Sequence, residues 1–161
     1  MKPFTTHTGK IAVLNRANVD TDQIIPKQFL KRIEKTGYGR FVFFDWRYLP
    51  DGSDNPEFEL NQEKSKGASI LLAGENFGCG SSRDHVPRAL SDYAFEVILA
   101  PSYADIFHQN CLKNGLLPIT LDQSVLDVIR QKANAEGYEL KIDLEEQKLT
   151  DSDNLSESFD V

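Results

Sequence analysis

The segment Gly74-Glu-Asn-Phe-Gly-Cys-Gly-Ser-Ser-Arg-Asp-His85 concentrates the chemistry-bearing residues of this chain. Gly78 and Gly80 let a backbone approach a ligand closely. Ser81 and Ser82 present hydroxyls and N–H groups, and Arg83 can grip a carboxylate with two prongs. Asp84 and His85 either orient these groups or form an interdomain hydrogen bond. Together they are suited to holding a carboxylate or phosphate beside a hydroxyl. The apolar run Ser69–Ala73 ahead of the segment reads as a buried strand, and Val86–Phe95 behind it reads as a helix. The candidate residues therefore sit at the C-terminal end of a strand, where open α/β sheets bind ligands. A helix starting there turns free N–H groups and a positive dipole end toward an anion.

Three standard glycine motifs fail, each on one residue. A dinucleotide fingerprint needs a third glycine where Arg83 stands. A phosphate-binding P-loop counted from Gly74 meets Cys79 and Gly80 where Gly and Lys belong. A nucleophile elbow lacks its closing glycine after the serine pair, which argues against a serine hydrolase. Two readings stay open from the residues alone: an anion site of a different design, or a capped helix with a solvated Arg-Asp-His turn.

A second polar cluster, Asn18-Val-Asp-Thr-Asp-Gln-Ile-Ile-Pro26, precedes Lys27, Lys31 and Arg32. Asp20 and Asp22 offer too few oxygens for a calcium loop, and the stretch reads as an Asx-turn loop. Lys31 and Arg32 gain interest only if this loop faces Ser81–Arg83. The two cysteines, Cys79 and Cys111, are both read as packing residues. An iron–sulfur cluster takes about four thiolates, so this chain cannot build one. His7, His85 and His108 lack metal-ligand spacing.

The elements that must position these groups follow from the pattern. Ile11–Leu14, Glu96–Ala100 and Leu117–Leu121 read as further strands, and Phe41–Phe44 as an aromatic one. Tyr138–Leu144 alternates like an exposed edge strand. Ile24-Ile25-Pro26 continues extended, because Pro26 disfavours helix before it. Helices are expected over Gln28–Lys35, over Ser102–Asn114 with Ser102 as N-cap and Gly115 as the stop, and after Asp122. Leu49–Gly67 reads as a long loop. The β-α-β-α-β order predicts an α/β fold with a parallel sheet.

The 161 residues suit a single domain spanning 1–161. No apolar stretch reaches a membrane span and no signal-peptide core is visible, which together with the scarce cysteines predicts a cytoplasmic protein. The net charge of −7 lies wholly in residues 121–161, which hold 11 acidic and 4 basic side chains. A balanced body with an acidic tail region excludes the basic face that nucleic acid requires. The ending at Phe159-Asp-Val161 reads as an interrupted strand, so a C-terminal truncation is expected.

Four motifs in order carry a resemblance: Asn18 to Leu30, Gly37-Tyr-Gly-Arg-Phe41 through Asp45-Trp-Arg-Tyr48, Glu75 to His85, and Ala104-Asp-Ile-Phe107 through Gly115-Leu-Leu-Pro118. With them the chain resembles, over about residues 7–149, the 3-isopropylmalate dehydratase small subunits of the aconitase superfamily. The resemblance implies a swivelling β/β/α three-layer domain with a mainly parallel central sheet. It implies a lyase of leucine biosynthesis, a hydro-lyase interconverting 2- and 3-isopropylmalate through 2-isopropylmaleate and inactive as this chain alone. It also implies a large partner subunit that holds a [4Fe–4S] cluster, with none bound by this chain. Ser81 matches the catalytic base, Arg83 a substrate-carboxylate ligand and Ser82 a substrate-binding neighbour. Asp22 matches an aspartate near the site, with Gly80, Asp84 and His85 as supporting residues. Phe29-Leu30-Lys31 falls where relatives carry a substrate-selecting loop, often Tyr-Leu-Arg, which assigns Lys31 and Arg32 to substrate binding. Citraconate- and homocitrate-type dehydratases share the Gly-Ser-Ser-Arg turn and are the nearest alternatives, with a non-catalytic anion-binding module as a third.

Overall fold

Short aliphatic runs, each followed by an amphipathic stretch, build the core of the molecule. The computed structural model describes residues 6–26, 41–62, 65–80, 85–135 and 137–159. Its strands are β1 (Thr6–Val13), β2 (Ile70–Leu72), β3 (Val97–Ala100), β4 (Leu117–Thr120), β5 (Glu139–Asp143), β6 (Lys148–Thr150) and β7 (Ser156–Ser158). Its helices are the single turns α1 (Thr21–Ile24) and α2 (Phe44–Arg47), then α3 (His85–Tyr93), α4 (Asp105–Lys113) and α5 (Gln123–Lys132). One sheet runs in the order β4-β3-β2-β1-β5-β6-β7. The first four strands are mutually parallel, as expected for an α/β fold. The last three extend the sheet antiparallel, which the sequence pattern did not announce.

β1 joins the two halves. Its first residues, Thr6 to Lys10, pair antiparallel with Asp143 to Glu139. Its last, Ile11 to Val13, pair parallel with Ile70 to Leu72. Alternate residues of a strand point to opposite faces, and both faces of the parallel half are covered. One face buries Ala12, Leu71 and Ile98 against Val86, Ala89 and Leu90 of α3 and Phe107 and Cys111 of α4. The other buries Ile11, Ile70, Leu72, Val97 and Leu99 against Leu126 and Ile129 of α5 and against Leu140, Ile142, Leu149 and Phe159. Double burial explains why these strands read as unbroken apolar runs.

Several local expectations need correction. Phe41–Phe44 is no strand: Phe43 takes a left-handed conformation (φ 54°) and opens the turn α2. Its ring stacks on Trp46 at 5.8 Å and tilts against Phe58 at 5.9 Å. Burial of three aromatics in one cluster outweighs β-propensity. Tyr138–Leu144 alternates as read, but β5 is not an edge, because β1 and β6 flank it. Ile24 closes α1, and only Ile25 is extended (φ −144°, ψ 113°), as Pro26 requires. α4 starts at Asp105 with Ala104 as its cap, so Ser102 lies outside it. Asp122 precedes α5 without a side-chain capping bond. Gly115 (φ 77°) does end α4, with the Leu116 N–H returning to the Cys111 carbonyl at 3.0 Å. The helix read over Gln28–Lys35 lies outside the described residues. No helix among the described residues is long and apolar enough to cross a membrane.

Candidate active site

Three loops leave the C-terminal ends of β1, β2 and β3 side by side, and main-chain bonds fasten them together. The loop after β2 carries the glycine segment. It is laced to the loop after β1 by Gly74 N–H to Arg16 carbonyl (3.0 Å), Asn18 N–H to Glu75 carbonyl (2.8 Å), Gly78 N–H to Val19 carbonyl (2.8 Å) and Thr21 N–H to Cys79 carbonyl (2.8 Å). On its other side, the Phe77 N–H donates to the Ser102 carbonyl (3.2 Å) and the Ala104 N–H to the Phe77 carbonyl (3.0 Å). The Asn76 N–H donates to Ser102 Oγ at 2.8 Å, so this serine braces the glycine loop rather than capping a helix. Asn76 Nδ2 also donates to Asn18 Oδ1 at 3.0 Å.

The glycines are there because side chains do not fit. A Cβ on Gly78 would stand 2.2 Å from the Phe107 ring, and its φ is +82°. A Cβ on Gly74 would stand 2.5 Å from the Arg16 carbonyl oxygen. Gly80 (φ +99°) lies against α1, its would-be Cβ 3.3 Å from Thr21 Oγ1 and 3.5 Å from Asp20 Cβ. Phe77 anchors the loop from below, fully buried and edge-on to Phe107 at 5.4 Å.

The Asx-turn loop read around Asp20 is instead the start of a helix, with Asp20 as the N-cap of α1. Its carboxylate accepts from the Gln23 N–H at 2.8 Å, and Gln23 Oε1 accepts from the Asp20 N–H at 3.0 Å, a capping box. That carboxylate is therefore committed to α1. Asp22 stands in the first turn of α1, next in sequence to Thr21 and its contact with Cys79. Thr21 is buried, and its hydroxyl has no hydrogen-bond partner among the described residues. From the other flank, Arg16 holds the β1 loop by stacking on Trp46 at 4.2 Å and donating to Glu59 at 2.9 and 3.2 Å. Burial works to raise the Glu59 pKa, but the hydrogen bonds and charge of Arg16 together with backbone hydrogen bonds outweigh it and hold the carboxyl below its ordinary range.

Of the residues read from the sequence, Gly80 lies against Asp20 and Thr21 at the junction of the β2 loop with α1, the turn that also carries Asp22. His85 is the first residue of α3. Ser81, Ser82, Arg83 and Asp84, like Lys31 and Arg32, lie outside the described residues. Sequence reading missed Ser102 and Thr21 as parts of the site's support. Ser102 was visible as a polar residue just after a strand, and was mistaken for a cap.

The thiols do not fit a metal cluster. Cys111 is wholly buried, and burial pushes its thiol far above the usual range. Cys79 donates to the Asn18 carbonyl at 3.5 Å. Among the described residues no group of three or more His, Cys, Asp or Glu is placed to hold a metal ion.

Residues 1–124 match the family described as the aconitase C-terminal domain, and residues 127–161 match the family described as LeuD_N. The chain is 65% identical over all its 161 residues to the 3-isopropylmalate dehydratase small subunit of Bacillus pumilus, spanning 81% of that protein. It is 62% identical, again over its full length, to the proteins of that name from Geobacillus kaustophilus and Bacillus subtilis, spanning 82% and 81% of them. Among solved structures, the crystal structure of a 3-isopropylmalate dehydratase from Methanocaldococcus jannaschii superposes with a TM-score of 0.67 at 24% identity, over 96% of this chain and 81% of that one. That likeness supports the fold.

Proposed function

Since the chain belongs to the family of 3-isopropylmalate dehydratase small subunits within the aconitase superfamily, we propose that its Gly80–Arg83 turn supplies the base and the anion grip of a two-chain hydro-lyase. The reaction is the interconversion of 2- and 3-isopropylmalate through 2-isopropylmaleate, a step of leucine biosynthesis. In this reading the Ser81 oxygen, deprotonated as its alkoxide, takes the proton from the carbon beside a carboxylate and becomes a hydroxyl, while hydroxide leaves the neighbouring carbon and the double bond forms between the two. Arg83, with Ser82, holds a carboxylate of the dianionic substrate and fixes its orientation. Lys31 and Arg32 contribute to choosing the substrate's side chain.

A serine hydroxyl is a poor base unless its alkoxide is stabilised. Free backbone N–H groups, a helix start and a nearby guanidinium are the groups that do this. The observation that carries the assignment is the lacing of the glycine loop. Six main-chain hydrogen bonds tie residues 74–80 to the two flanking loops, and the Asn76 N–H adds a seventh to Ser102 Oγ. Such bonds fix the point from which Ser81 departs and spend none of the side chains that follow. Asp22, Gly80, Asp84 and His85 support the turn from its two ends.

The [4Fe–4S] cluster implied by the superfamily is assigned to the large partner subunit, since the two cysteines here are buried or engaged. The chain acts as one swivel domain in a complex with that subunit, in the cytoplasm, where free thiols persist. The test is to co-produce it with its large subunit and follow the ultraviolet absorbance of the unsaturated intermediate. Ser81→Ala is expected to lower kcat at least about 1,000-fold. A Ser81→Ala complex with undiminished turnover removes the assigned base.

A further inference from the structure

At the opposite end of the parallel strands three side chains form a relay that the dehydratase reading leaves unused. His7 is the second residue of β1, Ser69 immediately precedes β2, and Glu96 immediately precedes β3. The register sets Ser69 beside Glu96, because Ile70 pairs with Val97, and opposite Lys10, because Ile11 pairs with Ile70; His7 reaches Ser69 over Gly9. His7 Nε2 lies 2.7 Å from Ser69 Oγ, and His7 Nδ1 lies 2.8 Å from Glu96 Oε2. A carboxylate only accepts, so Nδ1 carries the proton and donates it to Glu96. Nε2 is then left with its lone pair toward the Ser69 hydroxyl. This is the arrangement of a nucleophile, a base and an orienting acid.

Gly9 makes it possible, since a Cβ there would fall 2.0 Å from Ser69 Oγ and 2.9 Å from His7 Nε2. The relay is reachable from solvent: the Glu96 side chain is 53% exposed, the His7 side chain 17%, and Ser69 is half-buried. Its main chain is less well equipped. The Ser69 N–H is committed to the Lys10 carbonyl, and the Glu96 and Val97 N–H groups to the Ser69 carbonyl. These local donors are therefore not available to a tetrahedral oxyanion, and the loss of one such donor alone costs about 100- to 1,000-fold.

We propose that Ser69, His7 and Glu96 form a second reactive centre, in which Ser69 accepts an acyl group from activated esters and keeps it. The Ser69 oxygen bonds to the acyl carbon while its proton passes to His7 Nε2. The bond to the leaving group breaks, and that group departs as its anion. Glu96 stabilises the imidazolium formed. Without oxyanion donors both acylation and hydrolysis are slowed; the good leaving group of an activated ester offsets this for acylation, and the alkyl ester of the acyl-serine has no such help, so the centre is a modification site rather than a turnover enzyme.

The test is to treat the full chain with p-nitrophenyl acetate, follow the release of p-nitrophenolate, and map the acetyl group by peptide mass spectrometry. The expected result is a burst approaching one equivalent, a near-stop, and acetyl on Ser69. Ser69→Ala abolishes the burst. Glu96→Gln slows it at least about tenfold, and His7→Gln at least about 100-fold. If His7→Gln does not fold, the wild-type map and the half-exposed Glu96→Gln variant decide. Acetyl found on Ser81 or on lysines instead, no burst, or an unchanged rate in Glu96→Gln overturns the proposal.

Discussion

The two ends of the same three parallel strands are held by different parts of the chain. At the C-terminal ends, main-chain N–H and carbonyl groups tie the loops after β1, β2 and β3 to one another, through glycines packed against Phe107 and the Arg16 carbonyl. At the N-terminal ends the main-chain ladder, with Ser69 bonded to Lys10 and Glu96 to Ser69, is supplemented by side chains, with His7, Ser69 and Glu96 spanning three strands. Main-chain lacing leaves side chains available for substrate but tolerates no added atom. Side-chain lacing tolerates substitution but commits its polar groups to one another.

The sharpest way to break this contrast is Gly78→Ala. The added methyl meets a buried ring at 2.2 Å and demands φ +82° of an alanine. Left-handed strain and overpacking together cost about 3 kcal/mol or more. A fall in Tm of more than ten degrees by circular dichroism is expected, and an unchanged Tm would contradict the lacing described here. Gly9→Ala tests the other end. Its methyl meets the ends of two side chains that can rotate away, so the expected loss is smaller, about 1–2 kcal/mol. The same substitution breaks the His7–Ser69 bond and abolishes Ser69 acetylation. Equal losses at Gly78 and Gly9 would erase the distinction between the two ends.

The smallest effect belongs to a site at neither end. The Asp151 side chain is enclosed, accepting from Tyr138 Oη, from Lys132 Nζ at 3.0 Å and from the N–H groups of Asp153 and Leu155 at 2.9 and 3.1 Å. Burial opposes ionisation there, but these hydrogen bonds prevail and depress its pKa from 3.8 to about 2. A depressed carboxylate stabilises the fold above its unfolded pKa and loses that contribution as pH falls through the folded value. Stability therefore declines between about pH 4 and pH 2, and Asp151→Asn removes this share of the decline. Acid titrations of both forms followed by fluorescence measure it, and superimposable curves would remove Asp151 from the account.

The parallel half was legible because its strands are buried on both faces and its helices are amphipathic, so periodicity alone marks Ile70–Leu72, Val97–Ala100 and Leu117–Thr120. The glycine segment was legible because only glycine suits its conformation and its close approaches. The extra strands β6 and β7 were not, because each is three residues long and mostly polar, Lys148-Leu-Thr150 and Ser156-Glu-Ser158, with no apolar run to mark it. Phe41–Phe44 misled because aromatic residues favour strands and buried clusters alike. Ser102 misled because a serine before a helix satisfies the cap pattern whether or not its oxygen turns toward the helix. The relay of His7, Ser69 and Glu96 depends on register between three strands, which no local pattern records.

The double pairing of β1 sets an order on the ribosome. Its right-hand neighbour β2 is complete by residue 72, but the strand that covers its Thr6–Lys10 edge is not synthesised until residues 139–143. Closing that contact joins Thr6–Lys10 to Glu139–Asp143, the kind of long-range pairing that slows folding. Until then the nascent chain carries an open strand edge along Thr6–Lys10, a natural place for a chaperone to bind.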